Sequence, residues 1–539
     1  MMSTDLAKRI HRHCSMRAVA ITLAVACLST TAFSANAKTL RWSNEGDVTS
    51  MDPYAFYTTS NASFLQNIYE PLVRLNKELK LEPALATSWE VVEPTRWRFK
   101  LRSGVKFHDG KPFNADDVIA SLRRAGDPNS PYRVALSAVK DVVKVDDLTV
   151  DVLVNAPYPV LLNDLAAVFI MSKGWMEEHN SLAAVNPTKG EDSYASMHAN
   201  GTGPFMLKSR RPDAETVLIS NPNWWDKSES NVTEVVFRPI SSDATRVSAL
   251  LSGELDLITP APLQDVERLR KAPGVDVILG QDVRLILLGL NQGAAQLNAS
   301  DIKGKNPLAD QRVRKALTQG IDFKTLTARI LRGLTKPTAN LVAPQIQGYD
   351  AALSDPLVPY DQDAAKALLA DAGYPNGFEL GMDCPSDRYV NAEQVCQAIA
   401  TMWARIGVRA RLTVQPMTPY LKKMLGGGAD VYMIGWANSP QLDAYVMLNS
   451  VLHTKGGKSG AWNPGGYSNP RLDELATKVS SELDMAKRQE MISEAFTIHR
   501  QDFGSIPLYL EPLAWATRTG VNVVQTADNK VRLWWITID

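Results

Sequence analysis

Cysteine is scarce in this chain: 539 residues contain four, and only Cys384 and Cys396 lie beyond residue 37. A lone close pair without a companion histidine does not make a four-ligand metal site. In an exported chain it suits one short disulfide loop, the alternative being two buried free thiols. Charge of one sign is lacking too. Lys and Arg number 58, Asp and Glu number 58, and the formal net charge is zero. Such a balance creates no field for nucleic acid or an anionic membrane, so no nucleic-acid partner is expected. Catalytic signatures are missing as well: there is no H-E-x-x-H, no G-x-S-x-G and no phosphate-binding glycine loop. Ser137 and Lys140 form S-x-x-K, but its S-D-N and K-T-G companions are absent. His108, His179, His198, His453 and His499 show no i, i+4 ligand spacing. Nothing calls for a cofactor, and nothing supports an enzyme.

Long apolar runs are confined to residues 18–28. Lys8, Arg9, Arg12 and Arg17 precede that run and Ala35-Asn36-Ala37 follows it, the layout of an export leader cleaved after Ala37. The run is shorter than the ~20 residues a membrane span needs. Ala24-Val25-Ala26-Cys27 lacks the large aliphatic residue of a lipidation site. A soluble, exported chain beginning at Lys38 is expected.

What is present is a dense alternation of strand and helix patterns. Strands are expected at 38–43, 408–414 and 431–436, and a hairpin at 141–154 around Asp146-Asp147. Helices are expected at 58–69, 265–270, 310–330, 362–372 and 392–406, with two more within 470–503. Mixed elements at this density imply α/β architecture. Residues 84–124 are the most telling stretch. Trp97, Phe99 and Leu101 alternate with Arg98, Lys100 and Arg102 as in a half-buried strand. A second short strand is expected at 105–107, closed by the turn His108-Asp109-Gly110-Lys111. Asn114 then caps a helix that opens Ala-Asp-Asp.

The wording of 84–124 resembles the N-terminal region of the large extracytoplasmic solute-binding proteins, family 5, that serve peptide and nickel ABC importers. Gly201-Thr-Gly-Pro with Asn221-Pro-Asn-Trp-Trp, and the block 467–509, resemble further parts of the same family in the expected order. The resemblance implies a two-lobed periplasmic-binding-protein fold of type II with an extra inserted domain and the ligand in the inter-lobe cleft. It implies lobe I from 38–73, 205–282 and 513–539, an inserted domain at 74–204 and an opposing lobe at 283–512, hinged near Asp282 and Pro512. The function it implies is capture of a peptide or peptide-like amine-bearing solute in the periplasm. The partners it implies are that solute and an inner-membrane permease with ATPase subunits; the carrier itself is expected to be a monomer. A nickel-chelate, haem or oligosaccharide carrier is the alternative within the class, and a secreted hydrolase the alternative outside it.

Site residues follow from the same resemblance. Tyr57, Thr58 and Thr59 match the segment that lines the cleft from the first lobe. Trp436, Asn438 and Asp443 lie in the loop where peptide-binding relatives keep an Asp for the ligand's amine, though without a one-residue gap Leu442 takes that place. Dipeptide-binding relatives hold the ligand's carboxylate with an Arg before the block Trp403-Ala-Arg-Ile-Gly-Val; here Glu393 or Gln394 stands there, and Arg388 is the nearby cation. Twelve tryptophans add candidates for stacking on a flat solute. Of these, Trp224 and Trp225 read as packing residues and Trp436 as a cleft residue.

Overall fold

The computed structural model describes residues 38–356 and 358–539; the expected leader and its cleavage after Ala37 lie outside them. Ten strands form one mixed sheet. One half holds Val408–Gln415, Phe378–Pro385 and Val431–Trp436. The other holds Leu257–Ile258, Thr39–Asn44, Glu234–Pro239, Glu215–Ser220 and Phe205–Arg211. Between them run two long antiparallel strands, Val275–Leu290 and Ser505–Arg518. Their ladder has one long interruption near its middle and a one-residue slip just beyond it, where Leu508 is skipped between Ile286 and Leu287. Gln281 faces Pro512 and Leu285 faces Leu510, so residues 282–284 stand opposite Glu511 alone. Extra residues on one strand of a pair bend it and increase its twist. The interruption falls at the place where the resemblance puts the lobe-linking segments.

Beside this sheet, residues 86–154 form a four-stranded antiparallel sheet in the order Ala86–Glu93, Arg96–Leu101, Thr149–Val154 and Val139–Asp146. Trp97, Phe99 and Leu101 are buried as their alternation predicts. The helix Ala115–Ala125 starts from a capping box: Asn114 accepts from the backbone and Asp117 returns the bond. The expected strand at 105–107 shrinks to one bridge between Lys106 and Pro112, because the turn that follows closes at once. The expected helix at 310–330 is also two pieces. Gln311–Gln319 ends at Gly320, and Asp322 caps a fresh turn by accepting from Thr325 N.

Two contacts weld the inserted sheet to the first segment. Asp52 and Arg124 form a bidentate pair at 2.7 and 2.6 Å with both side chains 1% exposed. Such a pair holds geometry tightly, since losing either partner strands a buried charge. The second contact explains the Gly-Thr-Gly. A Cβ on Gly201 would lie 2.0 Å from the Ile68 carbonyl oxygen, and one on Gly203 2.7 Å from it. His108 fills the gap beside them: Nδ1 accepts from Gly201 N at 3.3 Å and Nε2 donates to Gly203 O at 3.1 Å. Burial pushes its pKa down to about 4, so the ring is neutral and structural. Accordingly the first segment and the inserted sheet share one core, with Trp42, Phe64 and Tyr69 beside Phe99 and Val150.

The opposing half has its own cores on either face of its strands. Leu79, from the turn of the hairpin Val73–Leu75 and Leu81–Pro83, joins one of them. Cys384 and Cys396 form a disulfide that ties the strand Phe378–Pro385 to the helix Ala392–Ala404, both cysteines being fully buried. Closing a loop of that length restricts the unfolded chain by about 3 kcal/mol. The variant Cys396→Ser is therefore expected to lose about 3 kcal/mol in urea unfolding. Equal stability of variant and parent would mean the bridge constrains nothing.

Candidate ligand cleft

A cavity of about 350 Å³ lies between the two halves of the sheet. Tyr57, Thr58, Thr59 and Glu70 line it from the N-terminal segment, with Arg74, Tyr132 and Phe169 from the stretch that follows. Facing them are Arg284, Arg388, Tyr389, Trp436, Asn438 and Trp462, with Lys530, Arg532 and Trp534 from the C-terminal segment. Tyr57, Thr58, Thr59, Arg388, Trp436 and Asn438 are thus gathered on one lining, as the sequence led us to expect. Asp443 is not among them.

Local structure accounts for each placement. Thr58 is the N-cap of the helix Thr59–Leu65, which seats Tyr57 and Thr59 at the helix mouth. Trp436 ends the strand Val431–Trp436, and Gly435 before it has no room for a side chain. A Cβ there would lie 2.5 Å from the Tyr389 ring and 2.9 Å from Arg284 Cδ. That bare backbone lets Tyr389 and Arg284 close in on the cavity. The Trp436 and Trp462 rings stand 5.4 Å apart at 60°. Asn438 takes the left-handed conformation, φ 50°, which Asn tolerates better than most residues. It is 2% exposed, yet neither its amide oxygen nor its nitrogen has a hydrogen-bond partner among the described residues. The same holds for Tyr57 OH and Trp436 Nε1. Folded chains rarely leave buried polar groups unpaired, so a cluster of them around one cavity marks where a polar guest belongs.

Asp443 needs correction. It caps the helix Ala444–Met447 by accepting from Tyr445 N at 2.8 Å. Both of its oxygens also accept from the Arg488 guanidinium, at 2.8 and 2.7 Å, with both side chains 1% exposed. A carboxylate so engaged has nothing left for a solute amine. The carboxylate on the lining is Glu70, which the sequence did not flag. It accepts from Thr202 Oγ1 at 2.8 Å, Trp225 Nε1 at 2.8 Å and Trp224 Nε1 at 3.1 Å. Burial pushes its pKa up to about 7, against the pull of those donors and of Arg74. Trp224, read from the sequence as a packing residue, therefore does two things: it anchors Glu70 and lines the cavity. Arg284, Lys530 and Arg532 were also missed, since their only sequence signal is a basic side chain in an apolar strand or a short terminal run.

One bond crosses the cleft beside the cavity. Gln441 Nε2, in the loop after Trp436, donates to Asp164 Oδ1 at 2.8 Å, while Tyr158 OH donates to Asp164 Oδ2 at 2.7 Å. Burial pushes the Asp164 pKa up to about 7, and neighbouring Asp443 adds to the rise. A carboxyl whose folded pKa is raised contributes stability that is complete below its unfolded value and is lost as pH rises through the folded one. The parent is therefore expected to lose stability relative to Asp164→Asn between about pH 4 and pH 7; parallel pH profiles in urea unfolding would contradict this. Asp443→Asn is expected to lower unfolding free energy by about 3–5 kcal/mol. Weakened solute binding at unchanged stability would return Asp443 to the site.

Residues 80–459 match the family "Bacterial extracellular solute-binding proteins, family 5 Middle". The glutathione-binding protein GsiB of Shigella flexneri is 26% identical over 522 residues, covering 95% of each chain. Heme-binding protein A of Haemophilus influenzae is 28% identical over 475 residues, 84% of this chain and 83% of its own. The solved structure of HbpA2 from Haemophilus parasuis superposes with a TM-score of 0.80 at 24% identity, over 93% of this chain and all of that one. Family, fold and cleft agree, and the chain belongs to the family 5 extracellular solute-binding proteins.

Proposed function

We propose that this chain is the periplasmic capture component of an ABC importer. Its leader is removed after Ala37, its lobes are those set out from the sequence, and its cargo is a peptide or peptide-like solute of a few residues. The observation that carries the reading is the convergence of Tyr57, Trp436 and Asn438, with unpaired buried polar atoms, on one cavity of about 350 Å³ between two lobes. Peptide main chain supplies the alternating donors and acceptors that such atoms lack. Closure about the interrupted strand pair would exclude water and strengthen each of those bonds. Action is then capture and delivery, without turnover, and agrees with relatives that are named as binding proteins. A flat solute is a second reading, favoured by Trp224, Trp436, Trp462 and Trp534 on the lining.

Purified residues 38–539 should bind peptides of two to five residues saturably and one to one, with quenching of tryptophan fluorescence and no product. Asn438→Ala should weaken binding by about tenfold, the worth of one or two buried hydrogen bonds. Turnover of the peptide, or no binding at all, would defeat the proposal.

A further inference from the structure

The cleft is lined by five cationic side chains and a single carboxylate, in a chain whose total charge is zero. That carboxylate, Glu70, has both oxygens occupied by Thr202 and the two indoles. A solute amine therefore meets no open carboxylate on the lining.

The cations differ in how they are compensated. Arg74 has Glu82 and Asp226 behind it, at 2.8 and 2.6 Å. Arg284 has Glu511 at 3.0 Å. On the first lobe, however, Lys530 and Arg532 share one anion. Arg532 takes both oxygens of Asp528, at 3.0 and 2.8 Å, and also donates to Thr526 Oγ1 at 2.7 Å. Lys530 Nζ is left 3.9 Å from Asp528 and makes no hydrogen bond among the described residues. All three side chains are buried or nearly so, at 15%, 3% and 2% exposure for Lys530, Arg532 and Asp528. Two cations and one anion in such a place leave one positive charge uncompensated, which is costly without a counter-ion. Burial and Arg532 accordingly push the Lys530 pKa down, while Arg532 and Lys530 hold Asp528 down to about 2 against its own burial. Backbone bonds fix this segment to the first lobe, Val531 N donating to Ser63 Oγ and Leu533 N to Asn67 Oδ1. Across the cleft Arg388 has no carboxylate partner among the described residues, and its guanidinium stands 5.7 Å from the neighbouring Tyr389 ring.

Resting on the carrier reading above, we infer that the cleft selects a solute with two acidic groups, one received by Lys530 and Arg532 and the other by Arg388. The two receivers stand on opposite lobes, so such a solute ties the lobes together. A solute with one acidic group satisfies only one side.

The test is calorimetric titration of residues 38–539 with three tripeptides of one shape, Glu-Ala-Gly, Gln-Ala-Gly and Lys-Ala-Gly. Glu-Ala-Gly should bind about tenfold or more tighter than Gln-Ala-Gly, as a charge-assisted bond in a cleft implies, and Lys-Ala-Gly weakest. Of Lys530→Met and Arg388→Met, the variant that removes the receiver of the Glu side chain should shrink the Glu-to-Gln ratio below about threefold, and the other should weaken both peptides alike by about tenfold, since both keep the terminal carboxylate. Arg388 is exposed, so its variant tests the idea even if the buried Lys530 variant folds poorly. Equal affinities, or the reverse order, overturn the inference and leave the carrier reading standing. Binding of none of the three overturns both. An unchanged ratio in both variants overturns the assignment to these cations.

Discussion

The structure depends on one shared ladder. Val275–Leu290 and Ser505–Arg518 belong to both halves of the sheet, and every strand on either side is joined to the other half through them. Their main interruption is at residues 282–284 opposite Glu511, with a one-residue slip past Leu508 just beyond it. The mismatch of three residues against one turns their backbone to other partners, Val283 N donating to Ala527 O and Arg284 N to Asp282 Oδ1. It also places Arg284 on the lining and Asp282 in a buried site that pushes its pKa up to about 6. Architecture and cleft chemistry thus share one irregularity.

Around that ladder, three buried Arg–Asp pairs set positions that apolar packing alone would leave loose. Asp52 and Arg124 fix the inserted sheet to the first segment. Asp443 and Arg488 hold the loop after Trp436 against the C-terminal helices. Asp528 and Arg532 shape the last segment beside the helix Thr59–Leu65. Bidentate guanidinium–carboxylate geometry tolerates little displacement, so each pair acts as a register pin. All three lie close to the cleft in sequence, at 52 before Tyr57, 443 after Asn438 and 528 before Lys530.

Local patterns in the sequence reported most local structure, though the strand at 105–107 is a single bridge and the helix at 310–330 breaks at Gly320. The alternation at Trp97, Phe99 and Leu101, and Asn114 ahead of Asp117, gave the strand and the capped helix because the interactions that decide them lie within a few residues. Expectations failed where a partner is distant. Asp443 looked like a loop carboxylate open to a solute, and its partner Arg488 sits 45 residues away with no local trace. Glu70 was silent for the same reason: its indole donors lie 154 and 155 residues on. The six cleft residues that did assemble were found through family resemblance, since neither periodicity nor propensity distinguishes Arg388 or Asn438 from any loop residue.

Trp224 and Trp436 line the same cavity yet differ in what they can offer it. The Trp224 indole N–H is spent on Glu70, so a guest meets only its ring surface, a contact that rewards shape and polarizability and is indifferent to hydrogen-bonding pattern. Trp436 keeps its N–H unspent. One wall of the cleft is therefore permissive and the other discriminating, and a change of cargo during evolution would be recorded first around Trp436.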